Sequence, residues 1–142
     1  MHGRVALNQI QNLFYDTLVA ASGSWSTSAD VHDEVPDGAA YPYCEIGQTT
    51  DMVEGTKGAK WSDNTQTVFV WSTATGSKEC NDIINQVVEA IMAISLPSTL
   101  ADNFAADTID RNLIQLLKVE GPNSQVFRQG IVQFMIRVED TS

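Results

Sequence analysis

Two histidines, two cysteines and eighteen carboxylates are the side chains from which this chain of 142 residues could build a catalytic or metal site. His2 stands at the N-terminus, in a stretch expected to fray. His32 opens the run His32-Asp33-Glu34, which has the residue types of a metal-ligand set or an acid–base pair. That run reads as part of a strand. Consecutive strand residues alternate between faces, so the three side chains do not converge on one ion, and a solvated polar strand is the plainer reading. A Ser-His-Asp triad would need His32 as its base, and no nucleophile-elbow motif accompanies it. The stretch "GTKG" at 55–58 lacks the spacing and the strand-turn-helix setting of a phosphate-binding loop. The acids are dispersed, and no spacing selects a catalytic pair. Cys44 lies in a strand-like run and Cys80 on the apolar stripe of a helix, so both read as buried thiols of a chain that folds without oxidation. A disulfide would require those two elements to pack together. The expectation is no catalytic residue, no metal site, no cofactor and no enzymatic activity.

The charge balance narrows the partners. Eighteen acidic against eight basic residues give a formal charge of −10, which opposes ordinary binding of a phosphate backbone. Trp61, Phe69 and Trp71 have the flat faces that stack on bases, but no basic residues interleave with Phe69 or Trp71, so these two read as core. Trp61 stands near Lys57 and Lys60 and reads as a contact anchor. No segment approaches the roughly 18 apolar residues of a membrane helix, and the N-terminal stretch is amphipathic rather than a signal-peptide core.

The elements that must position these residues follow from periodicity. Residues 5–21 repeat apolar positions at Leu7, Ile10, Phe14 and Leu18, a helical spacing, and "SGSWSTS" ends the helix, with Trp25 anchoring the loop. Val31–Val35 reads as a short strand, Pro36-Asp37-Gly38 as a turn, and Tyr41–Gly47 as a second strand with Cys44 and Ile46 on one face. Pro42 places that strand at an edge or at its own beginning. Residues 48–64 show little periodicity and read as a long loop, with Asp51, Glu54, Lys57, Lys60 and Trp61 as its notable side chains. Thr65–Ser72 alternates as a strand, with Val68, Val70 and Ser72 on one face. Lys78–Ala93 is a helix striped by Cys80, Ile83, Ile84, Val87, Val88, Ile91 and Met92, with Glu79 and Asp82 at its positive end and Thr75, Gly76 or Ser77 as caps. Residues 98–112 suggest a helical turn at 100–104 and then a loop. Leu113–Glu120 and Gln125–Glu139 form an antiparallel hairpin around Gly121, Pro122, Asn123 and Ser124, with Val132, Phe134, Ile136 and Val138 facing the core. The fold class expected is α+β in one domain spanning 1–142. It has a mostly antiparallel sheet, two main helices packed on one face and a C-terminal β-hairpin.

In order, an N-terminal helix, "VHDEVPDGAAYPYCEIG", "TQTVFVWSTATGSKECNDIINQVVEAIM" and the late strand "FRQGIVQFMIRVE" resemble the tail-completion, or tail-terminator, proteins of long-tailed phages and phage-derived gene transfer agents. The likeness covers nearly the whole chain and departs from the pattern in 48–64 and 98–112. It implies a structural virion protein of the tail and neck, assembled in the bacterial cytoplasm. Such a protein forms a homo-hexameric ring on the head-proximal end of the tail tube. It stops tube polymerisation and offers a docking surface to the head-tail connector, while DNA passes transiently through the lumen. The negative charge suits a channel from which DNA must slide freely. On this reading Asp51, Glu54, Lys57, Lys60 and Trp61 are candidates for subunit or tail-tube contacts, and Gly121, Pro122, Asn123 and Ser124 for a second contact at the hairpin turn. The alternatives are another neck or tail-tube component, or a small-ligand-binding domain.

Overall fold

The structure is a computed structural model and describes residues 4–53, 61–121 and 125–141. Its elements are α1 (Leu7–Ser22), β1 (Asp30–His32), β2 (Tyr43–Val53), β3 (Trp61–Ser72), α2 (Lys78–Met92), β4 (Ser98–Leu100), β5 (Phe104–Glu120) and β6 (Val126–Asp140). The strands form one sheet in the order β1-β2-β3-β6-β5-β4. β1 runs parallel to β2, and the remaining neighbours are antiparallel. The sheet is therefore mixed, which corrects the mostly antiparallel expectation. The turn at Pro36–Gly38 does form, with Gly38 at φ 75° and the Ala39 N–H donating to the Pro36 carbonyl. It is no tight hairpin, however. The segment 33–42 is long enough to carry the chain back and start β2 in the direction of β1.

Alternate strand residues turn to a common core. Cys44, Ile46, Val68, Val70, Val132, Phe134, Ile136 and Val138 join Ile10, Phe14 and Leu18 of α1 and Cys80, Ile83, Ile84, Val87 and Ile91 of α2 in one buried cluster. The helical period of about 3.6 and the strand period of about two meet there, as the apolar spacing predicts. The Phe14 and Phe134 rings lie 5.5 Å apart. Gly130 leaves room for Ile84: a Cβ at position 130 would stand 2.6 Å from Ile84 Cδ1 and 2.9 Å from Ile84 Cγ1. α1 touches β1, β2 and β4, so the sheet curls until both of its margins approach one helix. Trp25 packs against the core from the loop after α1. No described helix is long and apolar enough to cross a membrane.

Five local expectations are corrected. The long loop 48–64 is mostly strand, because β2 reaches Val53 and β3 begins at Trp61. A register shift between Ile46 and Thr49 hides the alternation. Buried Gln66 repairs that irregularity: Nε2 donates to the Gly47 and Thr67 carbonyls, and Oε1 accepts from Thr49 Oγ1. The helical turn at 100–104 is a reversal instead. Asp102 and Asn103 adopt φ of 60° and 64°, which asparagine and aspartate tolerate, and β5 starts at Phe104. Val35 lies beyond β1, which ends at His32. Met92 ends α2 exposed rather than on its buried stripe, and Ser77, at the N-cap, makes no side-chain capping bond.

Candidate assembly surface

The face opposite the core cluster is built from the strand residues left over by the alternation. Cross-strand register sets Tyr43, Trp71, Gln129 and Leu117 in one row, Glu45, Phe69, Ile131 and Gln115 in the next, and Thr67, Gln133 and Leu113 beyond. Phe69 and Trp71 are only half-buried there, so they are not the core residues their sequence suggested; Val68 and Val70 are. Bare glycine backbone receives two of the rings. A Cβ at Gly47 would meet the Phe69 ring at 2.5 Å, and one at Gly121 would meet Phe127 at 2.6 Å. Near the start of β2, Tyr41 stacks on Tyr43 and on Phe127 at 5.0 and 5.4 Å, and His32 meets Tyr43 edge-on at 5.6 Å. Burial, then a hydrogen bond with Tyr41, pushes the Tyr43 phenol up to about 12. His32 is thus engaged with an aromatic ring while Asp33 and Glu34 are exposed beyond it, and no group of three potential ligands occurs among the described residues.

The antiparallel pairing fixes where the two candidate contact regions lie. Trp61, at the start of β3, pairs with Glu139 at the end of β6, so the end of β2 and the start of β3 stand at the end of the sheet where β5 begins. Gly121 and Gln125 close the β5–β6 connection at the other end, beside the start of β2, with the Gly121 N–H donating to the Gln125 carbonyl at 2.6 Å. The structure therefore separates the described members of the two groups. Asp51 and Trp61 belong to strands at one end, while Glu54, Lys57 and Lys60 lie outside the described residues. Gly121 is at the opposite end, and Pro122, Asn123 and Ser124 lie outside the described residues. Asp51 keeps one carboxylate oxygen buried without a partner among the described residues, and burial raises its pKa against the lowering effect of Ser62.

Electrostatic clasps hold the ends. The Arg4 guanidinium donates to the buried Asp140 carboxylate at 2.7 and 3.2 Å and to the carbonyls of Asp102 and Asn103, and it covers the Phe104 ring at 4.4 Å. Arg137 pairs with Asp63 across β6 and β3. At the other end, Ser72 Oγ donates to Glu79, and Arg128 donates to the Thr75 carbonyl, which fixes the turn between β3 and α2. Cys44 and Cys80 are both free and fully buried, and desolvation pushes their thiols up to about 12 and about 11. They are core residues without nucleophilic character.

One surface escaped the sequence reading. The outer half of β5 is exposed on both faces, with Leu113, Ile114 and Leu116 at 46%, 39% and 37%. β4 pairs only with Phe104–Ala106, so the rest of that strand edge has no paired strand among the described residues. The signal was present in "NLIQLLK": apolar residues on both faces of a strand placed near the margin of a sheet.

Residues 16–139 match the model of a family described as tail completion protein gp17. A comparison with curated proteins finds no match. Among solved structures, a chain from the virion of a native gene transfer agent particle superposes with a TM-score of 0.72 at 19% identity, covering 96% of this chain and 99% of that one. The gp17 protein of bacteriophage SPP1 superposes with a TM-score of 0.60 at 20% identity, covering 99% and 96%. At such identities the two structures share the fold with this chain.

Proposed function

The chain belongs to the tail completion protein gp17 family, and with it to the structural proteins of the virion tail; from that premise we propose that it caps the head-proximal end of a tail tube. Six copies form the ring, each a single domain with its two helices on one face of the sheet. The ring stops tube polymerisation and presents its other side to the head-tail connector. The observation that carries this reading is the opposed placement of two pairs of strand ends, Val53 with Trp61 and Gly121 with Gln125. Asp51 and Trp61 stand at one end of the sheet and Gly121 at the other; the proposal assigns one contact to Asp51, Glu54, Lys57, Lys60 and Trp61 and a second to Gly121, Pro122, Asn123 and Ser124. A terminator must bind tube on one side and connector on the other, and this sheet offers a contact at each end. The role is architectural and requires no catalytic group, cofactor or membrane. The neighbour taken from a gene transfer agent particle supports a place in a particle of that kind. The charge of −10 per copy suits a lumen through which DNA slides without adhering.

The test is polymerisation of purified tail-tube protein with and without this chain, with tube lengths read by electron microscopy. Substoichiometric addition should shorten the tubes and leave one end of each unable to grow. Unchanged tube lengths at saturating addition contradict the proposal.

A further inference from the structure

Among the described residues, the cations of this acidic chain are mostly engaged. Arg4, Lys78 and Arg137 each meet a carboxylate, and Arg128 donates to a backbone carbonyl. Arg111 and Lys118 do neither, and both lie on the exposed half of β5. The register places Arg111, Ile114, Leu116 and Lys118 opposite Phe134, Val132, Gly130 and Arg128, hence on one face of the strand. The strip thus has two exposed aliphatic side chains in its centre and a cation at either end, over about 20 Å at strand rise.

A surface of the complementary kind stands on the other margin of the same sheet. Asp30, Asp33, Glu34 and Asp37 are all exposed and, among the described residues, make no ion pair. Half-buried Val35 lies between them, and Tyr41 follows at 40% exposure. Three strands, β2, β3 and β6, separate the two surfaces, so they serve different neighbours. They also stand at the same height: Val31, Cys44, Val70, Gly130 and Leu116 form one cross-strand row.

We propose that the β5 strip of one copy docks on the segment 30–37 of a second copy, and that this contact builds the ring. The inference rests on the ring reading above and deepens it by assigning the two halves of the subunit interface. Charge complementarity chooses the occupant: a cationic strip on a chain of charge −10 finds its match in the acidic margin of an identical chain. The contact uses different surfaces on its two sides, so it is heterologous. Heterologous contacts close into a ring when the step between copies is a pure rotation, and run into a filament when it includes a rise. Two surfaces in one cross-strand row supply a step with little rise along the strands.

The test is a charge-reversal cycle. The wild type, Arg111→Glu/Lys118→Glu, Asp33→Lys/Glu34→Lys and the four-fold variant are compared by sedimentation velocity in solution and by cross-linking on tail tubes, with circular dichroism to confirm folding. All four positions are exposed, so the fold should tolerate every variant. Each double variant should associate about tenfold or more weakly, and the four-fold variant, with the charges exchanged, should recover most of the loss. Oligomers that form equally well in the Arg111→Glu/Lys118→Glu variant overturn this interface and leave the ring reading standing. A wild-type chain that stays single both in solution and on tubes overturns both.

Discussion

Replacing Gly130 by alanine tests how α2 is seated on the sheet. The new Cβ would lie 2.6 Å from Ile84 Cδ1, 2.9 Å from Ile84 Cγ1 and 3.3 Å from Val70 Cβ. Ile84 is 4% exposed and Val70 fully buried, so neither has free space to retreat into. Overpacking of this kind costs about 1–3 kcal/mol. Removing a glycine from a strand returns about 0.5–1 kcal/mol. The centres of these two ranges leave a net loss of about 1 kcal/mol, which for a chain of this length lowers Tm by roughly 3–5 °C. Thermal unfolding followed by circular dichroism measures it. The companion change Ile84→Val removes the nearest carbon and alone costs about 0.5–1.5 kcal/mol. If the clash is the cause, the double variant is no less stable than Gly130→Ala by itself, a coupling of about 1 kcal/mol. Strictly additive losses, or a Gly130→Ala protein as stable as the wild type, refute the proposed seating of the helix.

Further outcomes follow from single sites. Arg4→Ala should lower Tm clearly more than Lys78→Ala, because it removes two charge-assisted hydrogen bonds from the buried Asp140 carboxylate, whereas Lys78 makes an exposed pair with Asp82; equal effects in thermal melts would contradict the clasp. Cys44 and Cys80 should resist a thiol reagent at pH 8 in the native protein and react fully once denatured, since both thiols titrate near 11–12; rapid native labelling would contradict their placement. Burial raises the Asp51 pKa in the folded state, so its ionised form opposes folding above that pKa, and the penalty disappears once both states are protonated. Asp51→Asn should therefore raise Tm at pH 7, with the gain fading as pH falls below the ordinary carboxylate value of 3.8; a gain that persists or grows in acid would reverse the assignment.

Much of the fold was legible because its signals are local. The helical stripes of Ile10, Phe14 and Leu18 and of Ile83, Ile84, Val87 and Ile91 repeat without interruption, and Val132, Phe134, Ile136 and Val138 alternate cleanly into the core. What stayed hidden depends on partners distant in sequence. Residues 49–53 look like loop because threonine and aspartate occupy both faces, and only their pairing with 62–66 reveals a strand. Thr50 and Thr65 hydrogen-bond across that pair. Residues 104–112 carry alanine, aspartate and asparagine, weak strand formers, and are strand because β6 lies beside them along their whole length. The parallel course of β1 was equally invisible, since a turn signal states that the chain bends and not which way the next strand runs. Of the candidate contact residues, Trp61 and Asp51 were placed in a loop and proved to be strand residues at one end of the sheet. In the sequence, the apolar margin of β5 looks only like half of a hairpin. Its exposure depends on β4 being three residues long, a feature of the assembled sheet.

Imaging of tail tubes assembled with the purified chain tests the central claim most directly. A tail terminator gives one ring of six copies at a single end of each tube, with no density of this chain along the wall. Decoration along the tube, or tubes whose two ends are both bare and still growing, would contradict it.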